Sequence, residues 1–256
     1  MSGFTTTGSS VINNVEALPH ATLFWRSLTQ WMGGMGIIVL LLAIIPGLGI
    51  EGRDLFVAEV PGPTHDKFTA TFKSTARRMW YLYISLTAAQ AILLLLGNMD
   101  LFDAICHSFT TMATGGYSTK QASIAYWDSA YIQYVVIIFM FIAGTNFGLL
   151  YVILHGKFRK LFHDEEFKLY LYITLGASTI IAIVLFLNGY ANLELSIRES
   201  IFQVVTILTT TGFATADYLL WPPLTGAIIF ALLFIGACAG STSGGLKCIR
   251  LNLLFK

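Results

Sequence analysis

Charged side chains are scarce in this sequence. Asp, Glu, Lys and Arg make up 11% of its 256 residues, where soluble domains carry roughly 25%. Hydrophobic residues reach 55% and mean hydropathy is +0.71, so composition alone describes a membrane protein. With a net charge of +1 and no basic face, nothing here suits a nucleic-acid backbone. Cysteine is equally sparse: Cys106, Cys238 and Cys248 form neither a disulfide framework nor a metal-ligand spacing. They read as small apolar packing residues. No Ser/His/Asp or paired-carboxylate constellation appears where water could be activated, so the sequence offers no enzyme and no organic cofactor. No signal peptide precedes the first motif. The chain opens directly on a turn with no helix before it and ends as abruptly at Lys256, which reads as a stretch of a longer protein.

What the chain does have is a repeated interruption. Thr5-Thr6-Thr7-Gly8, Met112-Ala113-Thr114-Gly115-Gly116-Tyr117 and Thr209-Thr210-Thr211-Gly212-Phe213 break apolar sequence at a period of roughly 100 residues. Each is followed by a Gly-rich break in an apolar stretch: Gly33-Gly34-Met35-Gly36, Ala143-Gly144-Thr145-Asn146-Phe147-Gly148, and the segment 236–245. A unit repeated at that period, each copy with a polar turn at membrane depth, is the pattern of a pore assembled from pseudo-symmetric parts.

Stretches long enough to cross about 30 Å of hydrocarbon run over 24–46, 79–96, 131–155, 169–187 and 221–254. Two shorter amphipathic stretches, 101–112 and 193–208, end at Thr-Gly turns and begin with Asp100/Asp103 and Glu194/Glu199. Acidic residues in a first turn favour a helix N-terminus. These read as re-entrant half-helices whose negative C-terminal ends point into the membrane; surface amphipathic helices are the plainer alternative. Arg53, Lys67, Lys73, Arg77 and Arg78 follow the first span, Lys157, Arg159, Lys160 and Lys168 the third, and Lys247, Arg250 and Lys256 close the last. Lys120 and Arg198 lie opposite, with Arg26 near a helix start as an interface anchor. The basic segments are therefore cytoplasmic and the turns enter from outside. Trp80, Tyr81, Tyr83, Trp127, Tyr131, Tyr134 and Trp221 fit aromatic belts.

Irregular backbone inside a membrane survives only where it is buried or lines a cavity. A stretched Thr-Gly turn can aim carbonyl oxygens at an axis and replace the hydration shell of K⁺, with Gly supplying backbone angles denied to other residues. One Thr-Thr-Gly string is weak evidence, and ordinary Thr-rich turns would look the same. Three of them, two behind acid-capped half-helices, point to a filter.

These residues carry a resemblance. Ser2-Gly3-Phe4-Thr5-Thr6-Thr7-Gly8, Gln30-Trp31-Met32-Gly33-Gly34-Met35-Gly36-Ile37, Pro61-Gly62-Pro63, His107-Ser108-Phe109 with Gly115-Gly116-Tyr117-Ser118-Thr119, Phe202-Gln203-Val204-Val205, and Gly240-Ser241-Thr242-Ser243-Gly244-Gly245-Leu246-Lys247 are similar to the Trk/Ktr/HKT superfamily of potassium uptake proteins, and the likeness covers essentially the whole chain. It implies an all-α polytopic membrane protein of the cell inner membrane, in which four membrane-pore-membrane repeats with re-entrant half-helices surround one pore. On that scheme residues 1–50 are the filter turn and second helix of repeat one, 51–78 a cytoplasmic linker, 79–156 repeat two, 157–168 a second linker and 169–256 repeat three. The first helix of repeat one and all of repeat four are missing, so this stretch alone should not conduct. The resemblance assigns ion-facing carbonyls to Thr6 and Thr7, Ala113 and Thr114, and Thr210 and Thr211, and filter-glycine positions to Gly8, Gly115 and Gly212. Plant relatives with Ser at the first of these positions carry sodium, so Gly8 favours K⁺. A homodimer and a cytoplasmic, nucleotide-binding regulatory subunit docked on the basic segments are also implied, alongside membrane lipid and the potassium ion itself.

The segment 236–245 cannot continue an apolar helix. Each interior Gly costs about 1 kcal/mol against Ala, and Ser/Thr hydroxyls compete for backbone partners. By resemblance Gly240, Ser241, Thr242, Ser243, Gly244 and Gly245 form an intramembrane gate, with Ser243 replacing the usual Gly and stiffening the loop. Close helix packing through small residues is the alternative. The string fails as a phosphate loop: Lys247 comes one place late, with no Ser/Thr after it and no strand before it. Lys247 and Arg250 read as snorkelling to the interface, with Lys247 also placed to reach the gate. Asn146, polar at membrane depth, is divided between pore-facing and packing roles. His107 reads as a hydrogen-bonded packing residue, and the glycines of 33–36 as points of close helix approach. Two rivals remain: a secondary transporter with discontinuous helices coupled to Na⁺ or H⁺, and a non-conducting membrane subunit.

Overall fold

The computed structural model describes residues 1–36, 72–154, 156, 158–161, 163–190 and 192–254. The inner part of the first expected span, most of the linker expected over 51–78, and the Pro61-Gly62-Pro63 string lie outside them. The described chain is helical, and its sole β-bridge pairs Ile235 with Leu246.

Nine α-helices carry the architecture among the described residues: α1 His20–Gly34, α2 Phe72–Leu96, α3 Leu101–Met112, α4 Ala130–Ala143, α5 Phe147–Leu154, α6 Glu165–Leu187, α7 Leu193–Leu208, α8 Pro223–Leu232 and α9 Cys248–Leu254. The two expected half-helices are α3 and α7, with the bounds read from the sequence. Asp100 caps α3 by accepting from Phe102 N at 3.0 Å, which satisfies one of the orphan donors of a helix start. In α7 only Glu194 falls in the first turn; Glu199 lies further along and is buried. Asp164 caps α6, accepting from Phe167 N at 2.7 Å.

Arg77–Leu96 and Glu165–Leu187 are long and apolar enough to cross a membrane. Their outer faces would be wrong for water: Tyr81, Ile84, Ile92 and Leu96 on α2, and Tyr172, Leu175, Ile180, Ile183, Phe186 and Leu187 on α6, are all exposed. Apolar bands of this extent suit contact with lipid tails. Each half-helix is wrapped by its neighbours, α3 by α1, α2 and α4, and α7 by α4, α6 and α8. Two apolar cores result. Tyr83, Leu94, Met112, Val136 and Met140 belong to one; Tyr170, Ile181, Leu185, Val204 and Leu208 belong to the other.

The stretch 131–155, expected as one span, is two helices, α4 and α5, bent by 105°. Gly144-Thr145-Asn146 makes the corner. Asn146 Oδ1 accepts from Gly148 N at 2.8 Å and Leu149 N at 3.1 Å, so this residue caps α5. Removing the cap by Asn146→Ala should lower stability by about 1 kcal/mol, while Asn146→Asp, which keeps the acceptor, should lower it less. Thermal unfolding in detergent, followed by intrinsic fluorescence, measures the difference.

Candidate functional site

The three Thr-Gly turns share one backbone conformation. Thr6, Thr114 and Thr210 have φ of 53°, 51° and 57°, and two residues later Gly8, Gly116 and Gly212 have φ of 74°, 73° and 83°. Their hydrogen bonds agree residue for residue. Thr6 N, Thr114 N and Thr210 N donate three residues back, to Gly3 O, Thr111 O and Ile207 O. Thr7 N, Gly115 N and Thr211 N donate five residues back, to Ser2 O, Thr110 O and Thr206 O. This is the Schellman arrangement that ends a helix by returning N–H groups to its last carbonyls, with Thr in the left-handed position usually given to Gly.

The shared pattern fixes the correspondence between copies. Gly116, not Gly115, is the partner of Gly8 and Gly212, and Thr114 and Gly115 correspond to Thr6 and Thr7. The glycine alignment read from the sequence is therefore one residue early in repeat two.

The turns stand side by side. A Cβ on Gly8 would strike Gly115 O, and one on Gly116 would strike Thr211 O, whereas one on Gly212 would meet nothing within 4 Å. Turn one abuts turn two, turn two abuts turn three, and turn three faces open space. Exposure follows the same order: Thr114 and Gly115 in the middle are buried, and Thr7 and Gly212 on the two flanks are exposed. The arrangement is an arc with one side open.

Turn two differs in its side chains. In turns one and three paired hydroxyls brace the bend, Thr5 Oγ1 with Thr7 Oγ1 at 2.8 Å and Thr209 Oγ1 with Thr211 Oγ1 at 2.7 Å. Turn two has Ala113 and Gly115 at those places. Gln30 of α1, fully buried, does the bracing instead: its Nε2 donates to Gly115 O at 2.7 Å and its Oε1 accepts from Tyr117 N at 3.1 Å. A Cβ on Gly115 would collide with the Gln30 amide. Ala113 O accepts from Thr114 Oγ1 at 2.7 Å. Each of these carbonyls keeps a second lone pair.

Helix α1 reaches this position because it is small at its end. Cβ atoms on Gly33 and Gly34 would run into Phe4 O and the Ala113 Cα, so both glycines serve close approach, as read. The Arg26 guanidinium stands 4.3 Å from the Tyr117 ring centroid and donates to Ser10 Oγ at 3.3 Å, on the rim of turns one and two. His107 is buried behind turn two, with Nδ1 2.7 Å from Asp103 O and Nε2 3.0 Å from Ser118 Oγ.

The chain leaves α8 at Leu232 and runs irregularly to α9 at Cys248. This loop touches two of the turns. Gly244 N donates to Thr210 Oγ1 at 2.7 Å, and Thr242 Oγ1 donates to Met112 O at 3.0 Å and to Ala143 O at 3.2 Å. It also meets the corner between α4 and α5: Cys238 N donates to Gly144 O at 3.0 Å, and Gly240 O accepts from Phe147 N at 3.1 Å. Ser241 Oγ donates to Cys238 O at 2.6 Å and pairs with Ser243 Oγ at 2.8 Å. Lys247 does not snorkel outward. It is buried, 5% exposed, and its Nζ donates to Ser243 O and, at 3.0 Å, to Ser243 Oγ. Arg250 is exposed. Cys106, Cys238 and Cys248 are free and buried.

Sequence reasoning passed over two residues here. Gln30 stood inside a matched motif without a role, and Glu166 drew no notice as a first-turn acid. Its Oε1 accepts from Ala239 N at 2.6 Å and Ile249 N at 3.1 Å.

A family model described as "Cation transport protein" matches residues 1–256. The chain belongs to the TrkH family. It is 45% identical to the Trk system potassium uptake protein TrkH of Escherichia coli K12, over 100% of this chain and 53% of that protein. It is 40% identical to the Trk system potassium uptake protein TrkG of the same organism, over 100% of this chain and 53% of that one. The crystal structure of the potassium transporter TrkH from Vibrio parahaemolyticus superposes with a TM-score of 0.84 at 38% identity, covering 99% of this chain and 52% of that one. The chain thus spans about half the length of these relatives.

Replacing Gln30 by Leu leaves Gly115 O and Tyr117 N without their partner. Buried groups orphaned in this way cost about 1–3 kcal/mol, so Gln30→Leu should unfold at lower denaturant than the parent, with Gln30→Glu between them. Equilibrium unfolding in mixed micelles reads the order.

Proposed function

We propose that this chain forms three sides of a potassium pathway, with the turns as its filter and the loop between α8 and α9 as its gate. The observation that carries this is the arc: three turns with one backbone conformation, adjacent in order, exposed at Thr7 and Gly212 on its two ends, where a fourth turn would close a ring. Alternating φ sign from Thr6 to Gly8, and in the two copies, is a backbone pattern that allows successive carbonyls to share a side, which suits replacement of an ion's hydration shell. The carbonyls assigned to K⁺ are those of Thr6 and Thr7, Thr114 and Gly115, and Thr210 and Thr211, which shifts the pair Ala113 and Thr114 read from the sequence by one residue. Gly8, Gly116 and Gly212 permit the turns.

The ion is taken as K⁺ because the relatives are named for potassium uptake. It would enter from outside, lose water to the carbonyls and move inward past Thr242 and Gly244. An inside-negative potential supplies about 2.3 kcal/mol per charge per 100 mV, so no chemical step is needed. Release of the loop from Thr210 and Met112 would open the path; the loop's Gly, Ser and Thr residues make that movement inexpensive. Residence in the cell inner membrane, assembly as a homodimer and control by a cytoplasmic nucleotide-binding subunit complete the reading, on the family's pattern.

Rb⁺ uptake by proteoliposomes carrying the protein made from its complete gene tests it, with Na⁺ as competitor. Saturable uptake that resists Na⁺, and falls to the level of empty liposomes in Gly212→Asp, is expected. At Gly212 an added Cβ would meet no described atom within 4 Å, so the variant acts through the positive-φ backbone that Gly permits there, φ 83°, and through the charge it adds to the turn. Uptake that needs an imposed Na⁺ or H⁺ gradient, or persists in the variant, would favour the coupled transporter.

A further inference from the structure

We propose that Glu166 is the latch of the loop between α8 and α9, a positioning residue that holds both ends of the loop through one carboxylate oxygen. The inference rests on the gate reading given above.

The loop departs near Gly236 and returns at α9, and two backbone N–H groups, one near each end, converge on Glu166 Oε1. Ala239 N is 2.6 Å away and Ile249 N is 3.1 Å away. Neither donor can be satisfied by a helix ladder at these positions, since Ala239 lies in irregular backbone and Ile249 is in the first turn of α9. A carboxylate is the side-chain group best able to take two N–H groups on one oxygen, and hydrogen bonds to an ionised acceptor are roughly twice as strong as neutral ones.

Glu166 is itself held firmly. It sits in the first turn of α6, which Asp164 caps. The next residue, Phe167, is buried and packs edge-on to Phe141 at 6.2 Å. Beside it, Glu165 Oε2 accepts from Asn252 Nδ2 at 3.3 Å, so two successive acids of α6 grip α9 and the loop. A first-turn acid that served only the helix dipole would need no partner outside its own helix; Glu166 has two, 73 and 83 residues away.

The middle of the loop contacts the turns through Thr242 and Gly244, while its ends are tied by Glu166 to a helix that is fixed. The two ends are also paired to each other, Gly236 N with Leu246 O and Cys248 N with Ala237 O, so cutting the tie releases them together from α6 and weakens the central contacts with them. Two native thiols make this measurable. Cys238 adjoins Ala239 and is 1% exposed, and Cys106, in α3 away from the loop, is also 1% exposed.

The experiment uses the protein from its complete gene in proteoliposomes, treated with a small membrane-permeant maleimide, with labelling at each cysteine quantified by peptide mass spectrometry. Rb⁺ uptake and its competition by Na⁺ are measured in parallel. In Glu166→Ala, Cys238 should label about tenfold faster, a factor within reach of a single charge-assisted hydrogen bond. Cys106 should label as before, and Rb⁺ uptake should rise with its resistance to Na⁺ unchanged. Glu166→Gln, which keeps an acceptor oxygen in place but loses its charge, should label at a rate between those of the parent and Glu166→Ala. Should Glu166→Ala yield no folded protein, Glu166→Asp, too short to reach both N–H groups, replaces it.

Unchanged labelling of Cys238 would overturn the latch. So would equal acceleration at Cys106, which would mean general loosening, or a Glu166→Gln variant indistinguishable from Glu166→Ala. Faster labelling of Cys238 with unchanged uptake would show that the tie exists and that the loop is no gate, which overturns the reading beneath it.

Discussion

Backbone N–H and C=O groups in a hydrocarbon layer have no water to turn to, and each one left unpaired there costs several kcal/mol. A chain that ends helices inside the layer must therefore supply partners for every terminus it creates. Here α3 and α7 end at depth, α4 breaks, and α8 gives way to a loop. The solutions interlock. The half-helices return their own N–H groups to their last carbonyls through the Schellman bonds. The corner after α4 and the loop after α8 satisfy each other, with Gly144 O and Ala143 O receiving from Cys238 and Thr242, and Gly240 O receiving from Phe147. Neither irregular segment would be tolerable without the other.

That constraint also explains why the copies are alike in backbone and unlike in side chains. The Schellman bonds need only the main chain, so Thr-Thr-Gly and Thr-Gly-Gly serve equally. The bracing behind them is a side-chain matter and is solved twice, by hydroxyl pairs in turns one and three and by Gln30 in turn two. Gly115 and Gln30 form a matched set: the missing side chain at one makes room for the amide of the other.

Much of this was legible in the sequence. The half-helices could be read to the residue because both ends carry local signals, an acidic start and a Thr-Gly stop. The break at Gly144-Thr145-Asn146 was visible for the same reason, though not its angle, which depends on what packs into the corner. The glycine register of turn two was not legible, since Gly115-Gly116 offers two candidates and only the hydrogen bonds choose. Gln30 and Glu166 were hidden by distance: their partners lie 85 and 73 residues away. Each also had a sufficient local explanation, Gln30 as one polar residue in an amphipathic helix and Glu166 as a first-turn acid. For Lys247 the sequence offered both snorkelling and contact with the gate, and its bonds to Ser243, four residues back, favour the second.

The division of labour between symmetric and asymmetric parts bears on mechanism. An element that selects among ions must present nearly equivalent ligands from every side, and main-chain turns repeated in each copy meet that demand with no special side chain. An element that controls passage has the opposite need. It must have two positions, and the bonds that hold one of them must be few and breakable. The loop between α8 and α9 has that character. Its contacts with the turns run through single groups, Thr242 and Gly244, and its ends, paired to each other by Gly236 N with Leu246 O and Cys248 N with Ala237 O, meet α6 through one carboxylate oxygen. On the reading proposed, selectivity belongs to the backbone that the turns share and control to the side chains of the loop between α8 and α9. A substitution that alters ion preference should then fall in the turns, and one that alters rate alone should fall in repeat three.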